Sequence, residues 1–202
     1  AQLKTINAAT TGAITLNTTN GALSGSAADL VLAFAGTVTE HTGTVTITDA
    51  PTVAQLVTIN AATTGAITLN TADGALSGSA ADLVLAFAGT VTEHTGTVAV
   101  TGGAPTVAQL KTINQASTGA ITLSTHDGAL SDTAANLAVA LAGTINHSGA
   151  VTITDAPTVA ELKTINAGTS GAITLSTADG ALSGSAADLV LAFAGTVTEH
   201  TG

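Results

Sequence analysis

The 202-residue chain contains no cysteine, methionine, tryptophan or tyrosine, and only 3 phenylalanines. Without cysteine the protein can form neither a disulfide framework nor a zinc–thiolate site, and it has no thiol nucleophile. Charged residues make up 8% of the chain, with 3 Lys+Arg against 13 Asp+Glu and a formal net charge of -10. So few cations argue against nucleic-acid binding, which depends on a basic surface.

Long apolar runs are also missing. None approaches the roughly 18 residues of a membrane-spanning helix, so we expect no membrane span. The hydrophobic fraction of 45% is nevertheless high enough for a folded core, which argues against disorder. The chain carries no nucleophile–base set, no glycine-rich phosphate loop and no metal-ligand spacing, so we predict a protein that is not an enzyme and needs no cofactor.

Internal repetition dominates what is present. The segment Ala-Gln-Leu-Lys-Thr-Ile-Asn begins at Ala1 and recurs with small changes at Ala54, Ala108 and Ala160. Each long repeat, roughly 53 residues, consists of two similar halves of about 26 residues, a period typical of solenoid proteins. We expect one continuous array that is a segment of a longer protein. Its long repeats cover approximately residues 1–53, 54–107, 108–159 and 160–202.

Each half-repeat predicts a helix, a turn and a strand. Ser or Thr followed three residues later by an acid or amide marks the helix start as a capping box, as in Thr52 with Gln55. Alternating apolar and polar residues in Ala13–Asn17 and Thr44–Thr48 then predict strands with one apolar face. We therefore predict an α/β solenoid in which a parallel sheet is covered by helices on one face, with right-handed crossovers.

Three segments carry a resemblance to known proteins: Ser131–Leu137, Val151–Asp155 and Thr154–Leu162. They resemble the tandem repeats of very large secreted surface proteins of cyanobacteria and proteobacteria, of the RTX-adhesin or surface-layer type. The resemblance covers nearly the whole chain, and it implies an extracellular or cell-surface location with an adhesin, surface-layer or matrix role. The glycine-rich nonapeptide that binds calcium in many such proteins is absent here, so calcium binding does not carry over.

Histidine–carboxylate pairs are the first candidates for a metal or acid–base site. Adjacent turn residues rarely converge on one ion, and copies two rungs apart would lie about 10 Å from each other. We therefore interpret the pairs as polar turns between helix and strand, and the single His126 as a solvated turn residue. The pairs are Glu40-His41, Glu93-His94 and Glu199-His200, with Asn146-His147 in the diverged copy.

Asp-Gly steps recur after the first strand of the later repeats, at Asp73, Asp127 and Asp179. One interpretation is calcium ligation at a turn edge, since carboxylate oxygens are ligands for calcium. The other, which we favour, is a tight turn, because Asp-Gly suits such turns. Asp49 and Asp155 precede Ala-Pro, and we interpret them as turn or cap residues.

Threonines on the outward face of the strands form the most regular predicted surface. This face could be solvated, since Thr suits strands. It could pack on another sheet or chain, or match an ice lattice by analogy with antifreeze solenoids. The residues are Thr15, Thr44, Thr46, Thr48, Thr68, Thr122, Thr152, Thr154 and Thr174.

Together these features predict a structural protein rather than an enzyme. Repetition and the lack of a unique constellation of reactive residues favour an extracellular fibre, surface layer or matrix that assembles end to end with copies of itself. The alternative is an adhesin or binding module that uses the Thr-rich face or the turn edges, with ice binding as a minor variant.

Overall fold

The computed structural model describes residues 1–202, in which eight helices alternate with one or two strands. The helices are α1 (Gln2–Ala8), α2 (Ala27–Ala33), α3 (Val53–Ala61), α4 (Ala80–Ala86), α5 (Val107–Ala116), α6 (Ala134–Ala140), α7 (Val159–Gly168) and α8 (Ala186–Ala192). The strands are β1 (Leu23–Gly25), β2 (Val45–Ile47), β3 (Ile67–Leu69), β4 (Leu76–Ser79), β5 (Val98–Thr101), β6 (Ile121–Leu123), β7 (Leu130–Asp132), β8 (Val151–Ile153) and β9 (Ile173–Leu175).

The helix starts are confirmed. Thr52 accepts a hydrogen bond from the Gln55 amide while the Gln55 side chain accepts one from the Thr52 amide, and α5 and α7 have the same complete capping box. In α2, α4, α6 and α8 the Ser or Thr accepts the backbone bond, as Ser79 does from Asp82. Each such cap stabilises its helix by about 1 kcal/mol.

All strand pairing is parallel, as predicted, but it forms three separate sheets. The strand orders are β1-β2-β3, β4-β5-β6 and β7-β8-β9. In the first sheet Leu23 pairs with Val45, and Val45 pairs with Ile67. The single sheet expected from the sequence is therefore wrong.

The division into three sheets follows from a mismatch between pairing offset and repeat length. In the first sheet paired residues such as Val45 and Ile67 are 22 positions apart, whereas the units that contain them are about 26 residues long. Each successive paired strand therefore lies a few residues closer, along the chain, to the helix that precedes it. After three strands this column of paired strands continues only as an isolated bridge, such as that between Ile67 and Val91. A new sheet then starts at Leu76.

Three strands were not predicted, namely β1, β4 and β7, which lie between the Asp-Gly or Asn-Gly step and the next helix. Conversely, the expected strand Ala13–Asn17 is reduced to an isolated bridge between Ile14 and Val38. The strand expected over Thr44–Thr48 is shortened to β2.

A single cluster of 35 buried residues forms the hydrophobic core between helices and strands. Val45 and Ile47 of β2 are fully buried, and so are Leu56 and Ile59 of the next helix. Fully burying one such side chain stabilises the fold by about 1.5–3 kcal/mol. Each helix also packs against the next helix in the chain, so neighbouring half-repeats share one core.

Candidate interaction surfaces

The outward positions of the strands form short hydroxyl ladders. Thr46 lies opposite Thr68 in the first sheet, and Thr152 lies opposite Thr174 in the third. In the middle sheet Thr122 lies opposite Ala99 instead of another threonine. No paired ladder therefore extends beyond two adjacent threonines, although Ser24 and Ser131 add a third hydroxyl to the first and third sheets.

The remaining predicted threonines lie outside the strands. Thr44 and Thr48 flank β2, Thr154 follows β8, and Thr15 follows the isolated bridge at Ile14. All four are exposed, as are Thr68, Thr122 and Thr174, whereas Thr46 and Thr152 are half-buried. The surface is thus rich in hydroxyl donors and acceptors, but it is divided at the boundaries between the sheets.

Histidine makes the most regular side-chain contact, which we call the histidine bridge. His41, His94 and His147 are 1%, 1% and 4% exposed. Their Nε2 atoms lie 2.7, 2.7 and 2.9 Å from the backbone carbonyl oxygens of an earlier Asn-Gly or Asp-Gly step, at Gly21, Gly74 and Gly128. Their Nδ1 atoms lie 3.2, 3.3 and 2.9 Å from the hydroxyl oxygens of Thr63, Ser117 and Thr169 in the next half-repeat.

Both ring nitrogens are therefore engaged. A carbonyl oxygen only accepts hydrogen bonds, so Nε2 of His94 carries the proton and donates it to Gly74. In the neutral ring Nδ1 then accepts from the Ser117 hydroxyl. A ring held in this way presents no free lone pair to a metal ion.

The structure separates the two members of each Glu-His pair. Glu40, Glu93 and Glu199 are exposed, while the histidine beside each one points inward. His41 and His94 lie in isolated bridges with Thr63 and Ser117, so the polar turn expected for these histidines is wrong. His200 is half-buried and keeps the bond to the Gly180 carbonyl oxygen, at 2.6 Å.

An aromatic ring packs against three of the five histidines. Phe34 and Phe87 lie 6.0 Å from His41 and His94 between ring centroids, and Phe193 lies 5.9 Å from His200. The histidine thus joins three half-repeats at a buried position, which is a structural use of the residue.

The Asp-Gly carboxylates point into solvent. Asp73, Asp127 and Asp179 are exposed, and Asp73 and Asp179 lie in turns as predicted. No group of three or more His, Asp or Glu side chains is close enough to hold a metal ion. The step instead contributes its glycine carbonyl to the histidine bridge. The expectation for His126 is confirmed, since it is exposed, with Nδ1 2.7 Å from the Ser148 hydroxyl.

An asparagine near the end of α1, α3, α5 and α7 forms a second recurrent contact, which we call the asparagine clamp. In α3, Asn60 Nδ2 donates to the carbonyl oxygens of Leu85, Ala86 and Ala88 at 3.0, 3.2 and 2.7 Å. These carbonyls belong to the last turn of α4 and the residues after it, where helical partners are missing. Asn7, Asn114 and Asn166 make equivalent bonds in the other repeats.

The clamp was not predicted, although an asparagine at the same place in all four long repeats was a visible signal. A glycine follows each clamped helix end with a positive φ, as Gly89 does at 68°. This left-handed conformation favours glycine and ends the helix. Helix termination thus depends on both the local glycine and the preceding helix.

Lysine–aspartate contacts join helices in the first and last repeats only. Lys4 bonds to Asp29, and Lys163 lies 2.7 Å from Asp188. These hydrogen bonds and the lysine charge lower the pKa of Asp29 and of Asp188 below its usual value. The second repeat has Val57 at the lysine position.

In the third repeat the lysine bonds to an amide side chain and not to a carboxylate. Lys111 Nζ donates to the amide oxygen of Asn136 at 2.7 Å. The carboxylate lies instead at Asp132, whose pKa is lowered by hydrogen bonds from the Asn136 side chain and the Thr133 backbone amide.

Two further carboxylates cap helices from a distance. Asp49 accepts from the Ala27 amide at 2.7 Å, and Asp155 accepts from the Ala134 amide at 2.7 Å. The cap role expected for Asp49 and Asp155 is therefore confirmed. The helices that they cap are α2 and α6, which precede them in the chain.

The charge is unevenly distributed. The helices hold all 3 lysines but, of the 13 acidic residues, only Asp29, Asp82, Glu161 and Asp188. The negative charge is therefore concentrated on the strands and connections.

Comparison with known proteins identifies no relative: no family model, curated protein or solved structure matches the chain. None of the eight helices is long and apolar enough to cross a membrane.

Proposed function

We propose that this chain is a non-enzymatic structural protein whose half-repeats form one continuous α/β solenoid and whose copies associate end to end. The observation that carries the proposal is the recurrence of the histidine bridge in three long repeats, while His200 in the fourth keeps its bond to a glycine carbonyl oxygen. An arrangement copied along the whole chain stabilises an array, whereas catalysis requires one organised site.

The range of these contacts supports the solenoid. Histidine bridges and asparagine clamps join residues that are 19 to 28 positions apart, which connects one half-repeat to the next. Stability that comes from neighbour-to-neighbour contacts is characteristic of repeat arrays. Such an array suits an extracellular fibre, surface layer or matrix, the setting that the sequence resemblance implies.

Cryo-electron microscopy of the purified protein at neutral pH tests the proposal. We expect filaments whose axial rise is a multiple of about 4.8 Å, the spacing between paired strands. Discrete short rods at all concentrations would refute end-to-end association, and a globular particle would refute the solenoid.

The alternative is an adhesin or binding module. The observation that favours it is the in-register pairing of Thr46 with Thr68 and of Thr152 with Thr174. A monomeric protein that binds glycans or surfaces, and loses binding when Thr68 and Thr174 are replaced by valine, would support it. Thermal hysteresis at millimolar protein would indicate ice binding, whereas an ordinary freezing curve would remove that variant.

A further inference from the structure

The outward side of the helices, which we call the helix face, exposes leucine in a repeated place. In α4, Leu83 is fully buried, whereas Ala81 and Leu85 on the opposite side are exposed, Leu85 at 54%. Leu32 in α2 and Leu191 in α8 occupy the same place, at 50% and 51%. Because α4 packs between α3 and α5 in the middle of the chain, the exposure of Leu85 is a property of the repeat itself.

The helices between the leucine-bearing ones have a flatter outward side. Since each helix packs against the next in the chain, ridges of leucine, or of valine in α6, alternate with grooves lined by shorter or polar side chains. A surface of this shape fits a copy of itself that is displaced by one helix. The groove residues are Ala54, Thr58 and Ala61 in α3, Ala108, Thr112 and Gln115 in α5, and Ala160, Thr164 and Ala167 in α7.

Only one charged residue of the helices is exposed. It is Asp82 in α4, whose carboxylate bonds only to the Ser79 hydroxyl, at 2.7 Å. Its equivalents Asp29 and Asp188 each bond to a lysine of the preceding helix, but Val57 stands at that lysine position in the second repeat. The second repeat therefore has a carboxylate without a lysine.

The third repeat has the opposite defect. Lys111 in α5 bonds to the neutral Asn136 side chain, which stands at the aspartate position of α6. The carboxylate of the neighbouring Asp132 is held by Asn136 and by the Thr133 amide. The lysine that the second repeat lacks is thus present in the third repeat without a carboxylate bonded to it.

These two incomplete pairs are placed symmetrically. The pair position lies between α3 and α4 for Asp82 and between α5 and α6 for Lys111, as the Lys4–Asp29 contact lies between α1 and α2. Both positions are therefore one helix away from the boundary between α4 and α5, and at the same level along the helices. A two-fold axis parallel to the helices at this boundary brings Asp82 opposite Lys111 of a second copy, and Lys111 opposite its Asp82.

We propose that the helix face is a docking surface for a second copy of this chain, related by this two-fold axis. The same rotation places α4 on α5, α2 on α7 and α6 on α3 of the second copy, so each ridge meets a groove. It also places Asp29 opposite Lys163, which extends the match of opposite charges across the face.

The area and the charge of the face suit this partner. A seven-residue helix is about 10 Å long and about 10 Å wide, so eight neighbours offer at most about 800 Å² per copy, the area that a standard-size interface uses. Most of the net charge of -10 lies on the strands and connections. Two copies therefore approach with the least repulsion through their helices. Side-by-side contact of this kind goes beyond the proposed end-to-end association and does not depend on it.

Sedimentation equilibrium of the full chain between 1 μM and 1 mM tests the docking surface. We expect a reversible equilibrium between monomer and dimer. A chain that stays monomeric up to 1 mM would overturn the proposal.

Charge reversal tests the symmetry. Asp82→Lys alone and Lys111→Asp alone should each weaken the dimer about tenfold or more, because each creates two contacts between like charges. A mixture of the two variant proteins should form a mixed dimer about as tight as the original one, because both contacts again join opposite charges. Failure of the mixture to restore the dimer would overturn the proposed axis.

Asp127→Lys is the matched control for Asp82→Lys. It changes the net charge by the same amount at an exposed turn residue outside the helices, and the dimer should be as strong as the original one or stronger. Equal weakening by the two substitutions would show an effect of net charge only and would contradict the docking surface. Circular dichroism checks that each variant folds, and the mixture provides a test in which the altered side chains restore what they disrupt alone.

A single thiol reports which face is covered, since the chain has no cysteine. Ala81→Cys introduces one on the helix face, and Thr122→Cys introduces one on an exposed strand position. At concentrations that form the dimer, the reaction with a maleimide should slow about tenfold for Ala81→Cys and stay unchanged for Thr122→Cys. Slowing at the strand position instead would place the contact on the other side of the molecule and overturn the proposal.

Electron microscopy of the same samples separates this inference from the proposed function. Dimers that never grow into filaments support the docking surface and contradict end-to-end association. Filaments of single width that form equally well with Asp82→Lys and with Lys111→Asp, from a chain without a dimer, support the proposed function and overturn the docking surface.

Discussion

Replacing His94 by alanine tests whether the histidine bridge stabilises the fold. The ring is 1% exposed and lies 6.0 Å from the Phe87 ring between centroids. It donates from Nε2 to the Gly74 carbonyl oxygen at 2.7 Å and contacts the Ser117 hydroxyl through Nδ1 at 3.3 Å. The substitution therefore removes packing and leaves two polar groups without their partner.

The expected loss can be estimated from these two parts. Removing most of a buried ring and leaving a cavity costs about 2–3 kcal/mol of the free energy of unfolding. The Gly74 carbonyl is half-buried, and leaving it without its donor costs about 1–2 kcal/mol. We expect His94→Ala to lower the free energy of unfolding by about 3–5 kcal/mol, which is large for a single substitution.

Urea unfolding followed by far-UV circular dichroism measures this loss, since the chain has no tryptophan or tyrosine for fluorescence. His126→Ala is the matched control, because the His126 side chain is exposed and makes a single hydrogen bond, with the Ser148 hydroxyl. We expect it to change the free energy of unfolding by about 0.5 kcal/mol or less. Equal effects of the two substitutions would refute the buried structural role of His94.

Four further predictions follow from the other contacts. Asn60→Ala should lower the free energy of unfolding by about 1–2 kcal/mol, because the α4 carbonyls lose their donor; an unchanged urea midpoint would contradict the clamp. Val57→Lys should raise the free energy of unfolding by at most about 1 kcal/mol by creating the missing pair with Asp82, and added salt should cancel the gain. The lowered pKa of Asp188 implies stability that is present above the usual carboxyl value of about 4 and is lost as pH falls through the folded pKa. Thermal melts should therefore show a weaker acid dependence for Asp188→Asn, which keeps a lysine–amide bond of the kind that Lys111 makes with Asn136. Assembly of copies, measured by light scattering, should strengthen with salt, divalent cations or pH near the pI of 4.4, because the net charge of -10 is then screened or reduced; assembly that ignores salt and pH would contradict this.

The sequence predicted those parts of the fold that depend on local patterns. Capping pairs such as Thr52 with Gln55 lie three residues apart, so both partners are visible in one short segment. The alternation of Val45 and Ile47 with threonine likewise predicted which side chains are buried. Both signals depend on residues only a few positions apart, and both were confirmed.

The parts that were missed depend on how one half-repeat is aligned with the next. Strand β1 has the sequence Leu-Ser-Gly, which has little intrinsic strand preference, and it forms because Leu23 pairs with Val45. The prediction of a polar turn at His41 was wrong for the same reason. Its hydrogen-bond partners, Gly21 and Thr63, lie 20 and 22 positions away along the chain. Only the recurrence of the asparagine in all four long repeats could have indicated the clamp.

The pairing offset of 22 residues and the unit length of about 26 residues together determine where one sheet ends and the next begins. Because each column of strands ends after a few half-repeats, every new sheet needs a covering segment from the half-repeat before it. Val53 supplies this cover at Gly78, and Val159 supplies it at Gly184. The mismatch that divides the sheets therefore also requires the start of one helix to cover the first strand of the next sheet.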